Sequence, residues 1–268
     1  MGDASSTPAR ATLVGVPFGN NPTRVRMLIY HKGIEADFDM KTPADYGGLT
    51  TEAYRAMNPQ GKIPVLILDS GRALYEARVI MGYILDVYAD RGPVMTPPTA
   101  ELRALGQQII AVHDMYIASP NASDPSVTSS QGCAYKSVEQ IDAPSRSLKL
   151  IEVAKQLMVL EGLITGPYAV GDDPSEADMT LYPTIGVLLP YIFGRAFGWP
   201  CLLSPAEHPK LTAWLATVEE LPAAKRVKAE MLPGLEGWET SGRFDPIRVQ
   251  IKAAPELPWS REQVASKI

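Results

Sequence analysis

The segment 58–65, which reads Asn-Pro-Gln-Gly-Lys-Ile-Pro-Val, constrains the fold of this chain more than any other. Its first half is rich in turn-forming residues, and the apolar run 63–68 predicts a buried strand. Pro64 removes a backbone donor near the start of that strand, which a central strand accepts only with special geometry. A cis peptide bond is one such geometry, and it would let the backbone of Ile63 pair with something other than the sheet.

Length and composition set the broad class. The 268 residues are enough for one large domain or two smaller ones. A hydrophobic content of 46% with 21% charged residues is typical of a soluble globular protein. The formal charge of −5 gives no reason to expect a nucleic acid or an anionic membrane as partner. Cys133 and Cys201 lie far apart, which favours neither a disulfide scaffold nor a zinc site.

The compartment follows from what the sequence lacks. No apolar run approaches the ~20 residues of a membrane span, and Met1 to Arg10 contain no apolar signal-peptide core. We therefore expect a cytoplasmic protein.

Periodicity divides the chain into successive parts. Residues 1–10 are predicted to be a disordered leader. From 11 to 92, short β-type runs alternate with helical runs in the order βαβαββα, which is typical of a thioredoxin-like domain. The Pro-rich stretch 93–98 predicts a linker, and 99–236 has only helical signals. Residues 237–268 predict a C-terminal extension that wraps over the surface.

Each part has predicted elements. In the first, we expect strands at 12–16, 34–40, 63–68 and 72–74 and helices at 22–32, 50–57 and 76–88. In the second, we expect helices at 99–119, 138–164, 175–193 and 209–221, with a long loop at 120–136. Gly33 should close the first helix, and Pro183 and Pro190 should kink or split the third helix of the second part.

Three motifs on this architecture resemble those of the cytosolic glutathione transferases. Residues 58–64 are similar to their turn and cis-proline strand, and Leu-Tyr-Glu-Ala-Arg-Val-Ile at 74–80 to a segment that usually reads Glu-Ser. Gly-Asp-Asp-Pro-Ser-Glu-Ala-Asp at 171–178 is similar to their capping box, which is also reasonable on its own chemistry. The resemblance covers roughly 11–235. It implies an α/β thioredoxin-like N-terminal domain, an all-α C-terminal domain, glutathione as co-substrate without a metal, and a homodimer.

The resemblance also implies a glutathione site. Glutathione has two carboxylates, one ammonium and a thiol. Lys62 would supply a cation for the glycyl carboxylate, the backbone of Ile63 before Pro64 would pair with the cysteinyl unit, and Glu76 would accept the γ-glutamyl ammonium. The backbone amides at 76–78 would bind the γ-glutamyl carboxylate. Ala77 stands where the family usually has Ser, so only its amide can contribute. Taken alone, Lys62 is a solvated turn residue and Glu76 a helix-start carboxylate.

The thiol must be activated, because the thiolate is the nucleophile. The family places a Ser, Tyr or Cys in the loop before the first helix, and residues 17–24 contain none of these. Gly19 falls where serine-type classes carry the hydroxyl. Asn20, Asn21 and Thr23 remain as candidates, and Asn21 falls at the Asn of the similar loop in nu-class enzymes. Its amide could stabilise a thiolate together with the helix-start N–H groups. Alternatively, Asn21 is simply the N-cap, with Pro22 as the first helical residue.

The second substrate is expected to be a hydrophobic electrophile bound against the helical domain. His113 and Tyr116 lie one turn apart on a predicted helix face, and Phe18 is a candidate wall of the cleft. A histidine with no catalytic role is the alternative for His113.

Three functions fit these observations. The preferred one is a glutathione transferase that attacks an electrophilic small molecule in detoxification. A glutathione-dependent disulfide reductase or peroxidase is the second, and a non-catalytic binding or scaffolding protein of the same fold is the third.

Overall fold

A computed structural model describes residues 10–118 and 129–268. The chain divides into two compact units, 1–94 and 95–268. The predicted leader, apart from Arg10, and the first part of the predicted 120–136 loop lie outside the described residues.

The first unit contains a four-stranded sheet in the order β2-β1-β3-β4. Strand β1 pairs in parallel with β2, whereas β3 is antiparallel to both β1 and β4. The strands are β1 (Ala11–Val14), β2 (Phe38–Lys41), β3 (Val65–Ile67) and β4 (Ala73–Tyr75). This mixed sheet confirms the thioredoxin-like prediction, although each strand is shorter than its sequence run or begins later.

From residue 10 to residue 94, three α-helices accompany the sheet, α1 (Asn20–Lys32), α2 (Glu52–Met57) and α3 (Ala77–Val87). Helices α1 and α3 pack against each other. Helix α1 ends as predicted at Gly33, which has φ 65° and donates its N–H to the carbonyl of Ile29. Val14, Tyr54 and Val65 are fully buried and form one hydrophobic cluster of the first unit.

The second unit is all helical within its described residues. Its first helix, α4 (Ala100–Val112), continues into a π-helical turn (His113–Ala118), and a long α5 (Ala143–Leu163) follows. The remaining helices are α6 (Glu176–Leu181), α7 (Leu189–Phe197), α8 (Pro209–Glu219), α9 (Pro222–Thr240), α10 (Asp245–Ala253) and α11 (Arg261–Ala265). The all-α prediction for this part is confirmed.

The capping box predicted at the start of α6 is present. The Asp178 side chain accepts hydrogen bonds at 2.8 Å from both the backbone N–H and the hydroxyl of Ser175. It also accepts 2.8 Å hydrogen bonds from Ala169 N–H and Trp214 Nε1–H. The carboxylate therefore ties the start of α6 to the preceding loop and to α8.

The central helix is divided near its two prolines into α6, a π-helical turn and α7. A π-helical turn (Tyr182–Leu188) contains Pro183 and joins α6 to α7, and Pro190 lies in the first turn of α7. A proline lacks the N–H that an α-helix needs and crowds the carbonyl four residues back, and a π-helical turn widens the helix at such a point.

The C-terminal extension differs from the predicted surface wrap. Helix α9 runs past residue 236 to Thr240, and α10 and α11 follow it. Trp259 is 6% exposed, its ring stacks on Phe197, and its carbonyl accepts a 2.7 Å hydrogen bond from Trp199 Nε1–H. Burial of this aromatic cluster supplies an anchor that helical periodicity alone does not indicate.

Candidate functional site

Strand register brings three parts of the first unit to one edge of the sheet. Val14, the last residue of β1, pairs with Val65, the first residue of β3, and Val65 pairs with Tyr75, the last residue of β4. The loop after Val14, the turn before Val65 and the residue after Tyr75 therefore leave the sheet side by side. The predicted binding and activating residues of this unit all lie on these three segments.

The middle segment contains the predicted cis peptide bond between Ile63 and Pro64. Just before it, the carbonyl of Lys62 accepts two 2.9 Å hydrogen bonds, from the phenol of Tyr54 and the amide nitrogen of Asn58. Burial raises the pKa of Tyr54 to about 12, so its phenol remains a donor at neutral pH. These two buried donors fix the backbone next to Ile63.

Ile63 itself lies outside the ladder, because β3 begins at Val65. Its side chain is half-buried, and its backbone N–H and C=O make no hydrogen bond within the part of the chain that the structure describes. A strand edge with unpaired backbone groups can pair with an extended peptide.

The third segment contains Glu76, whose backbone has φ 71° and ψ 113°. Positive φ is uncommon for a residue other than glycine and is found more often at functional sites than elsewhere. Helix α3 begins at the next residue, Ala77, whose side chain is buried. The N–H groups at the start of a helix point out along its axis, because the helix itself offers them no acceptor. Such N–H groups can bind a carboxylate.

A contact that the sequence analysis did not anticipate joins the second and third segments. The side-chain amide nitrogen of Gln60 donates a 3.0 Å hydrogen bond to Oε1 of Glu76. By its sequence context, Gln60 is only part of the turn, because no local pattern links two residues that lie 16 positions apart.

The first segment shows that Asn21 is not the N-cap. Gly19 has the extended N-cap conformation, with φ −83° and ψ 126°, and its carbonyl accepts the first helical hydrogen bond from Thr23 N–H at 3.0 Å. Asn21 is therefore the second helical residue, and no side chain caps this helix. The Asn-Pro pair matched the usual capping pattern, but the loop enters the helix two residues earlier.

The three activation candidates differ in their surroundings. Thr23 is 1% exposed, and its hydroxyl donates a 2.8 Å hydrogen bond to the carbonyl of Pro17, which holds the loop in place. Asn20 is 7% exposed. Asn21 is half-buried, and its side chain makes no hydrogen bond with any residue that the structure describes. Of the three, Asn21 is the one with a side-chain amide that is both partly accessible and unpaired.

An open pocket of about 650 Å³ lies next to Ile63 in the same unit. Its walls include Val16, Thr42, Pro43, Gly47, Leu49 and Ile63. The ammonium of Lys41, which immediately precedes this wall, lies 5.9 Å from the centre of the Tyr46 ring. The half-buried side chain of Lys62 belongs to the residue just before Ile63.

In the second unit, His113 and Tyr116 differ in their exposure to solvent. His113 is fully buried, with Nδ1 2.8 Å from Oδ1 of Asp114 and Nε2 2.7 Å from Oγ1 of Thr184. Tyr116 is 47% exposed. The segment is π-helical, so three residues complete less of a turn than in an α-helix. The His113 ring therefore links this segment to the turn Tyr182–Leu188 through Thr184, and a place for His113 or Tyr116 in the substrate cleft stays a prediction. Phe18 is half-buried in the first unit, and its place in a cleft wall stays a prediction.

Among residues 10–118 and 129–268, no three His, Cys, Asp or Glu side chains are grouped so as to hold a metal ion. No helix there is both long and apolar enough to cross a membrane.

A thioredoxin-like unit with a cis-proline edge, followed by an all-helical unit, defines a class of two-domain proteins. The description "Glutathione S-transferase, N-terminal domain" matches residues 13–92, and "Glutathione S-transferase, C-terminal domain" matches residues 143–217. The chain belongs to the glutathione transferase family and is an enzyme of that family.

Relatives of this chain carry the same description. Glutathione S-transferase 3 of Zea mays is 31% identical over 230 residues, which are 82% of this chain and 95% of the relative. Glutathione S-transferase F9 of Arabidopsis thaliana is 25% identical over 219 residues, or 80% of this chain and 94% of the relative. Among solved structures, the tau-class glutathione S-transferase of mango, Mangifera indica, superposes with a TM-score of 0.65 at 22% identity. That superposition covers 86% of this chain and 98% of the mango chain, and it shows the fold.

Proposed function

We propose that this enzyme binds glutathione along the edge formed by the three segments and directs its thiolate to an electrophilic small molecule. The observation that carries the proposal is the pair of unpaired backbone groups on Ile63, held in place by the two donors to the Lys62 carbonyl. An extended cysteinyl unit would pair with that backbone as an added strand does. No metal enters the proposal.

The two ends of the edge suit the two ends of an anionic tripeptide. On the Lys62 side, the pocket beside Ile63 would hold the glycyl carboxylate, with Lys62 and the neighbouring Lys41 as cations. At the other end, Glu76 would accept the γ-glutamyl ammonium, and the first amides of α3, beginning at Ala77, would receive the γ-glutamyl carboxylate. The absence of a hydroxyl at Ala77 leaves that task to the backbone.

Asn21 is the proposed activating residue. When bound, glutathione supplies the nucleophile as its thiolate. Asn21 would donate a side-chain N–H to that sulfur, near the positive end of α1. Its accessibility and the fact that Gly19, not Asn21, is the N-cap both support this role. The capping alternative for Asn21 no longer competes with activation. Asn20 and Thr23 are then residues that shape the loop.

The second substrate is proposed to be a hydrophobic electrophile. Loop 17–24 contains no Cys, so a mixed disulfide between glutathione and this loop is not part of the mechanism. Reduction of a disulfide or a peroxide by bound glutathione remains the second candidate, because an Asn-stabilised thiolate suits that chemistry as well. The proposal also includes a cytoplasmic homodimer, for which light scattering after size-exclusion chromatography is the measurement.

Calorimetric titration with glutathione is the first test, and no binding at millimolar ligand would refute the proposal. The second test compares three reactions: conjugation of a chlorinated dinitrobenzene, reduction of a bis-glutathionyl disulfide and reduction of an organic peroxide. Conjugation is expected to be the fastest. A faster reduction would replace the transferase proposal with the reductase or peroxidase.

Asn21→Ala tests activation itself. Loss of a hydrogen bond to a charged group costs about 1.5–3 kcal/mol, which corresponds to a rise of about 1–2 units in the pKa of the bound thiol. The pH profile of kcat/KM reports that pKa. Asn21→Asp keeps the shape of the side chain but removes the donor, so it should raise the pKa at least as much. At a pH below the pKa of the bound thiol, where glutathione binds as the thiol, its affinity should change little in Asn21→Ala. An unchanged pH profile, or an equal loss of rate and affinity, would refute the role of Asn21.

A further inference from the structure

A hydrogen bond joins the side chains of Gln60 and Glu76 at one end of the proposed glutathione site. We propose that Gln60 is a positioning residue that orients the Glu76 carboxylate toward the ammonium of the γ-glutamyl group. The inference rests on the proposed function, since it concerns the γ-glutamyl end of the same site. It adds a residue that touches the substrate only through its neighbour.

The backbone of Gln60 is fixed by the turn that carries it. Its N–H donates to Oδ1 of Asn58 at 3.1 Å, and Gly61 N–H donates to the carbonyl of Asn58 at 2.9 Å. Asn58 is 2% exposed, and its amide nitrogen donates to the carbonyl of Lys62. One buried side chain therefore anchors both ends of the turn. The Gln60 side chain projects from a backbone that cannot easily shift.

The position of the Glu76 carboxylate is not explained by helix capping. Glu76 is the N-cap of α3, yet its side chain makes no capping hydrogen bond. Its carboxylate is turned to Gln60 instead, with Oε1 at 3.0 Å from the amide nitrogen. Its backbone, at φ 71°, lies in a region that costs a non-glycine residue free energy. A positive φ at a residue whose carboxylate does not cap its own helix supports a role in ligand binding.

The choice of a glutamine as the partner suits an ammonium ligand. A neutral amide donor occupies one of about four lone-pair positions on the carboxylate and leaves its full negative charge. A Lys or Arg at position 60 would neutralise that charge and compete with the ammonium. Gln60 can therefore fix the direction of Glu76 while Oε2 stays open to a cationic N–H donor.

Gln60→Leu removes the donor at similar side-chain size and is the test variant. Its affinity should be compared, by calorimetry, for glutathione and for glutaryl-cysteinylglycine, which has a hydrogen in place of the α-ammonium. Loss of one net hydrogen bond corresponds to about threefold to tenfold weaker glutathione binding, and binding of the analogue should not change. KM for glutathione should rise while the pH profile of kcat keeps its midpoint, because the pair lies away from the thiol.

Two further variants complete the test. Gln108→Leu makes the same replacement at an exposed position of α4 and should leave both affinities unchanged. Glu76→Gln should weaken glutathione binding more than Gln60→Leu does, and adding Gln60→Leu to Glu76→Gln should cause no further loss.

The outcomes separate the two proposals. Equal weakening for glutathione and the analogue would mean that Gln60 only shapes the turn, and no weakening for either would also overturn its role. In both cases the proposed function would stand if the unaltered enzyme binds glutathione. Failure of the unaltered enzyme to bind glutathione would instead refute the proposed function.

Discussion

The hydrogen bonds of the Asp178 carboxylate allow the effect of a substitution on stability to be predicted quantitatively. It is fully buried, and it receives four hydrogen bonds of 2.8 Å, two on each oxygen. Burial raises the pKa of this carboxyl, and its four hydrogen bonds oppose that shift. Because all four partners are placed to donate, the geometry fits the ionised form. Asp178→Asn keeps the shape but replaces one acceptor oxygen with an N–H₂ group that faces two donors.

The loss of stability in Asp178→Asn follows from the number of hydrogen bonds that the variant cannot make. Two hydrogen bonds to a charged acceptor are lost, each contributing about 1.5–3 kcal/mol. Part of this loss is offset, because the variant no longer buries a charge and the Ser175 hydroxyl can rotate to accept. We expect Asp178→Asn to lower the free energy of unfolding by about 2–4 kcal/mol, a large share of the 5–15 kcal/mol typical of a folded protein.

Urea unfolding at neutral pH measures this difference. Tryptophan fluorescence is a suitable probe, since Trp214 donates directly to Asp178, and circular dichroism should give the same midpoint if unfolding is two-state. Ser175→Ala is the control, because it removes only the hydroxyl of the capping box and should cost about 1 kcal/mol. A change below about 1 kcal/mol for Asp178→Asn, or an equal cost for both variants, would refute the reasoning.

Three further predictions follow from the same structure. Gly15→Ala would place a Cβ 2.6 Å from Cβ of Pro22, so we expect thermal unfolding to show a free energy of unfolding lower by about 1–3 kcal/mol, and calorimetry to show weaker glutathione binding. Wild-type values for both quantities would refute this. Tyr54→Phe removes one of the two donors to the Lys62 carbonyl and should cost about 1 kcal/mol, with severalfold weaker glutathione binding; an unchanged affinity would mean that the second donor suffices. Burial raises the pKa of Cys133 to about 12, whereas Cys201 is exposed. A disulfide reagent should therefore titrate one thiol in the native protein and none after Cys201→Ser, and rapid reaction of two thiols would contradict the burial of Cys133.

The sequence correctly indicated features that depend on neighbouring residues. The cis bond at Pro64, the αL glycine at Gly33 and the capping box of Ser175 and Asp178 are all present. Each arises from steric or hydrogen-bonding rules that act over a few residues, so residue type and spacing are sufficient to predict it.

Features that depend on the path of the backbone were harder to predict. Asn21 before Pro22 satisfies the pattern of an N-cap, yet the helix starts at Asn20 because the Gly19 carbonyl already accepts the first helical hydrogen bond. His113 and Tyr116 have helical spacing, but a π-helical turn sends one into the core and leaves the other half exposed. Small changes in backbone path decide which side a residue faces, and pattern rules assume an ideal element.

Up to about residue 221, residue pattern is sufficient to predict the kinds of elements, their order and the family, because turn chemistry and hydrophobic periodicity are local properties. The helices α10 and α11 of the C-terminal extension lack such a pattern and are not predicted. Which distant polar groups come into contact depends on the folded chain. In the folded chain, the Gln60 side chain bonds to Glu76, and Gly19 takes the N-cap position in place of Asn21. The strand pairs of Val14, Val65 and Tyr75 align the three segments. These contacts depend on strand register and on the residue at which each helix begins, and both are set by the packing of the whole unit.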